Sequence, residues 1–399
     1  MRWLALVGGV LVQIVLGGVY AWSLFGRALQ SPESMELSHV LAAVPFEVAI
    51  GMIFVGASIG GRLQDRSSPR IVALIGTALY GAGILLASFA RTADDYWLLV
   101  LGYGLIGGFG LGMAYIVPVA LLQKWFPTRA AVVTGLAVGG FGFGATITSP
   151  VAQHLIDQAP HDPAGAFRVL GVAYLIAGLL GSALLFSPGA TTSKEQRDDD
   201  FTVAGALRTP QWYLLTGILT IAVIAGIALI SMMAGAAVDV AGLSAGAAAG
   251  AVGILALFNG GGRIVWAAAA QRVGQLPVLT AILVIEGLAL LLLPHTTGIW
   301  FLALAALVYL CYGGAFGTMP SAAGRFFGLS HAGAIYGLML VGWSLGGVVG
   351  PLLASALVGE AGNYTLAFSV VGALAVAGVL LPLVTRPPKR AGAPVASQV

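Results

Sequence analysis

Apolar stretches of about 20 residues follow one another along this chain, each closed by a short polar loop, and the pattern recurs twelve times. A helix of that length rises about 30 Å, the thickness of the hydrocarbon core of a bilayer. The pattern therefore predicts membrane-spanning helices near residues 3–27, 40–62, 71–90, 96–122, 131–155, 166–186, 211–233, 245–270, 277–294, 298–320, 331–358 and 363–384. The first apolar run continues to about Phe25 with no polar cleavage region, so it reads as a span and not as a signal peptide. The longest polar interruption, Thr191-Thr-Ser-Lys-Glu-Gln-Arg-Asp-Asp-Asp200, falls halfway along and separates six spans from six. The expected organisation is a helical bundle over 1–190, a solvated linker over 191–209, a second bundle over 210–385 and a tail over 386–399. The fold class expected is all-α, a polytopic membrane protein with twelve transmembrane helices in two six-helix bundles.

Composition narrows the solvent to lipid. The chain is 59% hydrophobic and 8% charged, more apolar surface than a water-soluble protein of 399 residues can hide. Its 58 glycines suit helices that pack closely in a bilayer. One cysteine, Cys311 in an apolar run, excludes a disulfide framework and a cysteine metal site, and no cofactor is expected. The net charge of +3 is spread over loops, so no nucleic-acid partner is expected; the expected partner is the bilayer, and the expected state is a monomer.

The basic residues set the orientation. With the N-terminus cytoplasmic, Arg2, Arg62, Arg66, Arg70, Lys124, Arg129, Lys194, Arg197, Arg208, Arg272, Arg325, Arg386, Lys389 and Arg390 all fall inside, against Arg27, Arg91 and Arg168 outside. That asymmetry predicts a cell membrane protein, in a bacterium the inner or plasma membrane, with both termini cytoplasmic. Trp3, Trp97, Trp212 and Trp300 stand at span starts and read as interface belt residues.

The halves also repeat. Pro118 is followed 17 residues later by Gly135 and then by Pro150; Pro320 is followed 17 residues later by Gly337 and then by Pro351. The loop Gly61-Arg-Leu-Gln-Asp-Arg-Ser-Ser-Pro-Arg70 has a counterpart in Ala267-Ala-Ala-Ala-Gln-Arg-Val-Gly274. Duplicated halves with a site between them are the plan of many secondary transporters.

One guanidinium breaks the apolar pattern. Arg263 lies inside the eighth span, flanked by Gly260–Gly262 and preceded one helical turn earlier by Asn259. An arginine at membrane depth costs about 2.5–3.5 kcal/mol on insertion scales, so something must compensate it, and an anion pathway is the usual reason. Its planar fork suits a carboxylate; the competing reading is a cation that snorkels to the cytoplasmic interface. Glu47 and Glu286 are the acids well inside spans and the candidates for proton coupling. His154 and His331, at span ends, read as structural. Gly140-Phe-Gly-Phe-Gly144 and Gly342, Gly346 and Gly350 place small residues on helix faces; a phosphate loop is excluded there by the missing Lys-Ser/Thr.

Gly61-Arg-Leu-Gln-Asp-Arg66, with Arg70 and Leu74, resembles the second-to-third-helix signature of the major facilitator superfamily, Ser68 and Pro69 replacing its usual Gly-Arg. The resemblance implies the major facilitator fold, with an Asp–Arg charge network at the cytoplasmic side built from Asp65, Arg66, Arg70 and, in the repeat, Arg272. Tyr20-Ala-Trp-Ser-Leu-Phe25, Tyr115 with Pro118 and Lys124-Trp-Phe-Pro127, and Asn259-Gly-Gly-Gly-Arg-Ile-Val-Trp266 are similar to the oxalate/formate antiporter family, which includes bacterial lactate transporters and is related to animal monocarboxylate transporters. That similarity implies that Arg263 binds a substrate carboxylate, with Tyr115 and Tyr20 beside it. Tyr312, Phe316 and Trp343 would complete an aromatic cage, Tyr312 and Phe316 sharing one helical face. The family's arrangement leaves Glu286, on the ninth span, peripheral to the pathway.

Two departures shape the expectation. Dicarboxylate exchangers of the family carry a lysine in the eleventh span where this chain has Gly346, and no cation stands elsewhere in Val341–Gly350. One cation matches one carboxylate, since a second charge left unpaired at depth costs several kcal/mol. Asn259 stands where the animal proteins keep an aspartate. The function expected is alternating-access transport of a small monocarboxylate such as lactate or pyruvate, together with a proton. Oxalate/formate-type anion exchange is the alternative, and a non-transporting membrane sensor the second. An enzyme is not expected: no His-Glu-x-x-His, no Gly-x-Ser-x-Gly and no paired acids occur in one span.

Overall fold

In the computed structural model, which describes residues 1–188, 200–358 and 364–388, every described element is helical. Residues 191–199 of the expected linker, with Lys194, Arg197, Asp198 and Asp199, and residues 389–399 of the expected tail, with Lys389 and Arg390, lie outside the described residues. Among the described residues, twelve helices are long and apolar enough to cross a membrane: Arg2–Gly26, Leu41–Arg66, Pro69–Ala87, Ala93–Trp125, Pro127–Gln158, Pro163–Ala183, Pro210–Met233, Gly250–Val273, Gln275–His295, Gly298–Phe327, Ala332–Val358 and Tyr364–Val384. The protein is an all-α, multi-pass membrane protein. Among the described residues an even number of crossings puts the start of the first span and the end of the twelfth on one face, the terminal face.

Helices are the form in which a chain satisfies its own backbone in lipid, and local chemistry marks their ends. Ser38 and Ser244 cap the second and eighth helices by accepting from Leu41 N and Ala247 N, while Pro69 and Pro210 occupy first-turn positions that need no donor. In the first half, two irregularities interrupt regular winding. A 3-10 turn over Gly18–Ala21 breaks the first span at Tyr20, and a π-helical stretch over Leu99–Gly107 widens the fourth. Such defects re-aim side chains within an otherwise regular helix.

The halves meet along two seams, the fifth span against the eighth and the eleventh against the second. The repeated glycines lie one in each seam. A Cβ on Gly135 would come 2.6 Å from the Arg263 carbonyl, and one on Gly337 would come 2.5 Å from the Ala57 carbonyl. Both contacts are with backbone that cannot turn away, so each position needs its hydrogen for close approach.

At the terminal face the seams are bolted shut. Asp65 of the second span forms an ion pair with Lys124 at 3.1 Å and accepts a hydrogen bond from Ala334 N–H at 2.9 Å. Gln271 donates to the Thr128 carbonyl at 3.0 Å, and Ser58 donates to the Gly337 carbonyl at 3.4 Å. Asp200, just before the seventh span, accepts from the backbone N–H groups of Leu329 and Ser330 and from the Ser330 hydroxyl. These bonds correct the expected Asp–Arg network. Asp65 takes Lys124 and the N-terminal N–H of the eleventh helix, a site of positive dipole, while Arg70 lies over the Phe186 ring at 5.3 Å and Arg66 and Arg272 are exposed.

Trp3, Trp97 and Trp300 are more than half exposed, as belt residues should be. Trp212 is not: it is buried, and its neighbour Tyr213 is the exposed aromatic.

Candidate anion-binding site

The eighth helix carries Asn259 and Arg263 one turn apart on one face. Close contacts bring two neighbours onto that helix: Gly260 faces the Phe143 ring of the fifth span, and Gly262 lies against the Leu310 backbone of the tenth. Between these walls Arg263 is completely enclosed, which excludes snorkelling. Its Nε donates to Asn259 Oδ1 at 3.3 Å and its Nη1 to the Val138 carbonyl at 3.4 Å. Both are long beside the usual ~2.9 Å N–H···O bond, and Nη2 has no partner among the described residues. The rings of Phe141 and Phe316 stand over the guanidinium, their centroids 5.1 Å and 4.9 Å from its central carbon. Each such contact is worth about 2 kcal/mol when desolvated. The cation is therefore stabilised by ring faces and left short of acceptors.

Around it the rings close on one another. Trp343 packs against Tyr115, Phe141 and Phe316 at centroid distances of 5.3, 5.5 and 4.7 Å. Tyr20 meets Phe141 edge-on at 5.3 Å, and the Tyr20 and Tyr312 hydroxyls hydrogen-bond at 2.8 Å across the two halves. Gln13 donates to the Tyr115 carbonyl at 3.1 Å and steadies the fourth helix where it presents that ring. The structure thus brings together Tyr20, Tyr115, Asn259, Arg263, Tyr312, Phe316 and Trp343. It adds Phe141 and Tyr336, both essentially unexposed. Tyr336 precedes Trp343 by seven residues, two turns along one face, a spacing that could have found it. Phe141 carried no such signal, because between glycines it reads as packing. The first half contributes Tyr20, Tyr115 and Phe141; the second contributes the cation and the rest.

The profile of the Major Facilitator Superfamily matches residues 3–338 and 251–398. The chain belongs to the major facilitator superfamily. Among its relatives, the chain is 28% identical to the uncharacterised MFS-type transporter YhjX of Escherichia coli (87% of this chain, 86% of that one). It is 27% identical to the oxalate:formate antiporter of Oxalobacter formigenes (98% and 94%) and 29% identical to human monocarboxylate transporter 11 (83% and 72%). Its fold matches the Escherichia coli fucose:proton symporter with a TM-score of 0.69, over 95% of this chain and 98% of that one at 18% identity.

Within this superfamily member the two intramembrane acids stand apart from the arginine. Glu47 is half-buried, with Tyr96 as its electrostatic neighbour. Glu286 is wholly buried, neither carboxyl oxygen has a partner among the described residues, and the neighbour within electrostatic reach is Cys311. The structure does not bring either acid to Arg263. The helix of Glu286 packs mainly against the tenth and twelfth spans.

Gly346 explains itself sterically. A Cβ there would lie 2.7 Å from Val223 and 2.9 Å from the Thr220 carbonyl of the seventh span, so a side chain has no space in this packing. A separate cavity of about 660 Å³ opens at the terminal face, lined by Gln123, Gln271, Arg272, Gln275 and Arg325 among others, and no residue of the Arg263 cage lines it. Among the described residues, no group of three His, Cys, Asp or Glu side chains is placed to hold a metal.

Proposed function

We propose that the protein is a secondary transporter of a small monocarboxylate of the lactate or pyruvate kind, moved together with a proton by alternating access. The observation that carries this reading is Arg263: one fully buried guanidinium whose Nη2 has no hydrogen-bond partner among the described residues, enclosed by aromatic rings from both halves. A carboxylate supplies the missing acceptor and the missing charge, and the rings suit a short alkyl remainder. A dicarboxylate would bring a second charge with no second cation to meet it. The relatives support an organic anion as the cargo.

Residues 1–190 and 210–385 would rock as two bodies about this site, in a monomer, joined by the linker over 191–209. Ligand entry requires the rings of Tyr20, Tyr115 and Phe141 to separate from those of Tyr312, Phe316 and Trp343. The excess of Lys and Arg on the terminal face supports that face as cytoplasmic, with the tail over 386–399 also inside. In this orientation Asp65, Lys124, Gln271 and Ala334 form the inner gate, with Arg66, Arg70 and Arg272 at its rim.

The test is counterflow of labelled lactate or pyruvate in proteoliposomes. Wild-type protein should exchange label, which would also exclude a non-transporting sensor, and Arg263→Lys and Arg263→Ala should not. Normal counterflow in either variant would remove Arg263 from the site.

A second reading, anion exchange, is favoured by Asn259: among the described residues no carboxylate pairs with Arg263 to neutralise it on an unloaded return. Uptake driven by a pH gradient into liposomes holding no anion supports symport; uptake only against a preloaded anion supports exchange.

A further inference from the structure

We propose that Tyr336 is a direct ligand of the transported anion, and that through it the bound anion touches the helix that closes the terminal face. The proposal rests on the anion reading of Arg263 and extends it to a residue that reading does not require.

Tyr336 is 1% exposed, and its hydroxyl has no hydrogen-bond partner among the described residues. Burying a hydroxyl without a partner is unfavourable, so this group calls for a water or a ligand in some state. Its surroundings favour a ligand. The Tyr336 hydroxyl lies beside that of Tyr115, and Arg263 is within electrostatic reach of both. Among the described residues Tyr115 Oη and Arg263 Nη2 likewise make no well-formed hydrogen bond, although the three groups are close enough to interact with one another. A guanidinium offers only donors, and each phenol has a donor to place. The phenol oxygens can accept in turn, but a chain from Arg263 through Tyr115 to Tyr336 still ends on an unplaced O–H and leaves the positive charge unmatched, and an anionic acceptor meets both needs. A carboxylate has two oxygens with about four acceptor positions, enough for all three.

The chemistry also fits the missing second cation. The eleventh span can contribute to the anion through a neutral O–H, which strengthens the grip on one carboxylate without demanding a second.

The position of Tyr336 gives the contact a consequence. The eleventh span consists of two helical pieces, Ala332–Met339 and Val341–Val358, meeting at Leu340. Tyr336 belongs to the first piece. The same piece has its Ala334 N–H bound by Asp65 and its Gly337 carbonyl bound by Ser58, both from the other half. One eight-residue helix therefore holds the anion at one point and the inner gate at two others. Anion binding should alter how firmly that helix seats on the second span.

Tyr336→Phe removes one oxygen and keeps the ring. The full-length protein, purified in detergent, is titrated with pyruvate and with L-lactate by calorimetry. In parallel, a reporter chain carrying Cys311→Ser and Ser58→Cys is alkylated with and without pyruvate. The expected result is a Kd about tenfold weaker in Tyr336→Phe at an unchanged melting temperature. Pyruvate should change the labelling rate at position 58 in the reporter that keeps Tyr336, and leave it unchanged in the same reporter carrying Tyr336→Phe. A Kd within twofold of wild type, with the pyruvate effect on labelling retained, would overturn the proposal and make Tyr336 a packing residue. If Tyr336→Phe does not fold, Tyr336→His against Tyr336→Leu makes the same comparison, donor kept against donor lost; equal affinities would overturn it. Wild-type protein that binds neither pyruvate, lactate nor formate would instead sink the anion reading itself.

Discussion

Asn259 Oδ1 accepts from Arg263 Nε at 3.3 Å, one turn along the same helix. An amide orients the arginine without neutralising it. Asn259→Asp should convert the contact into an internal ion pair that competes with the ligand. Pyruvate affinity should then fall at least tenfold near neutral pH. It should recover on acidification, as the new carboxyl takes a proton and releases the cation. Calorimetric titrations of the variant at several pH values check both the loss and the direction of its recovery.

Phe141 and Phe316 both stand over the arginine and come from different halves. Their ring faces offset part of the cost of carrying a cation between membrane faces with no anion aboard. Phe141→Leu should therefore slow net efflux into anion-free medium by about tenfold while label exchange falls less than threefold. Equal losses in both assays would show that the ring serves packing alone.

Asp65 holds both Lys124 and the N–H of Ala334. A charge-assisted hydrogen bond is worth about 1.5–3 kcal/mol, so Asp65→Asn should open the terminal face measurably. In the Cys311→Ser, Ser58→Cys chain, alkylation from that face should accelerate about tenfold. An unchanged rate would mean that the glycine seam, and not the carboxylate, keeps the gate shut.

Glu286 is buried with both oxygens unpartnered among the described residues and no link to the arginine. Replacing an unpaired buried carboxyl by an apolar group of similar size should stabilise the fold by about 1–3 kcal/mol. Glu286→Leu should raise the melting temperature by several degrees and retain pH-driven uptake within about twofold of wild type. Loss of that uptake at intact counterflow would identify Glu286 as the proton carrier.

Much of this architecture could be read from residues alone, for a physical reason. Lipid tolerates so few alternatives to an apolar helix that hydropathy locates every span, and a single arginine in such surroundings is conspicuous. Trp212 shows the limit. Hydropathy places a ring at a span start without saying which way it faces, and this one turns inward. Lys124 escaped as the partner of Asp65 because the two are 59 residues apart and meet only after the intervening spans have packed. Phe141 escaped because an aromatic side chain in an apolar run looks the same whether it packs or binds, whereas Tyr336 was marked only by its seven-residue spacing from Trp343.

The cage takes three rings from one half and its cation from the other, joined by the Tyr20–Tyr312 hydrogen bond. Recognition is thus a property of the seam, as at the interface of a heterodimer. Expressed as separate polypeptides, neither six-span piece should select a ligand, whereas the two together should. Substitutions in one piece can also retune selectivity without touching the charge in its counterpart, which gives natural variation a route to new cargo that leaves the anchor in place.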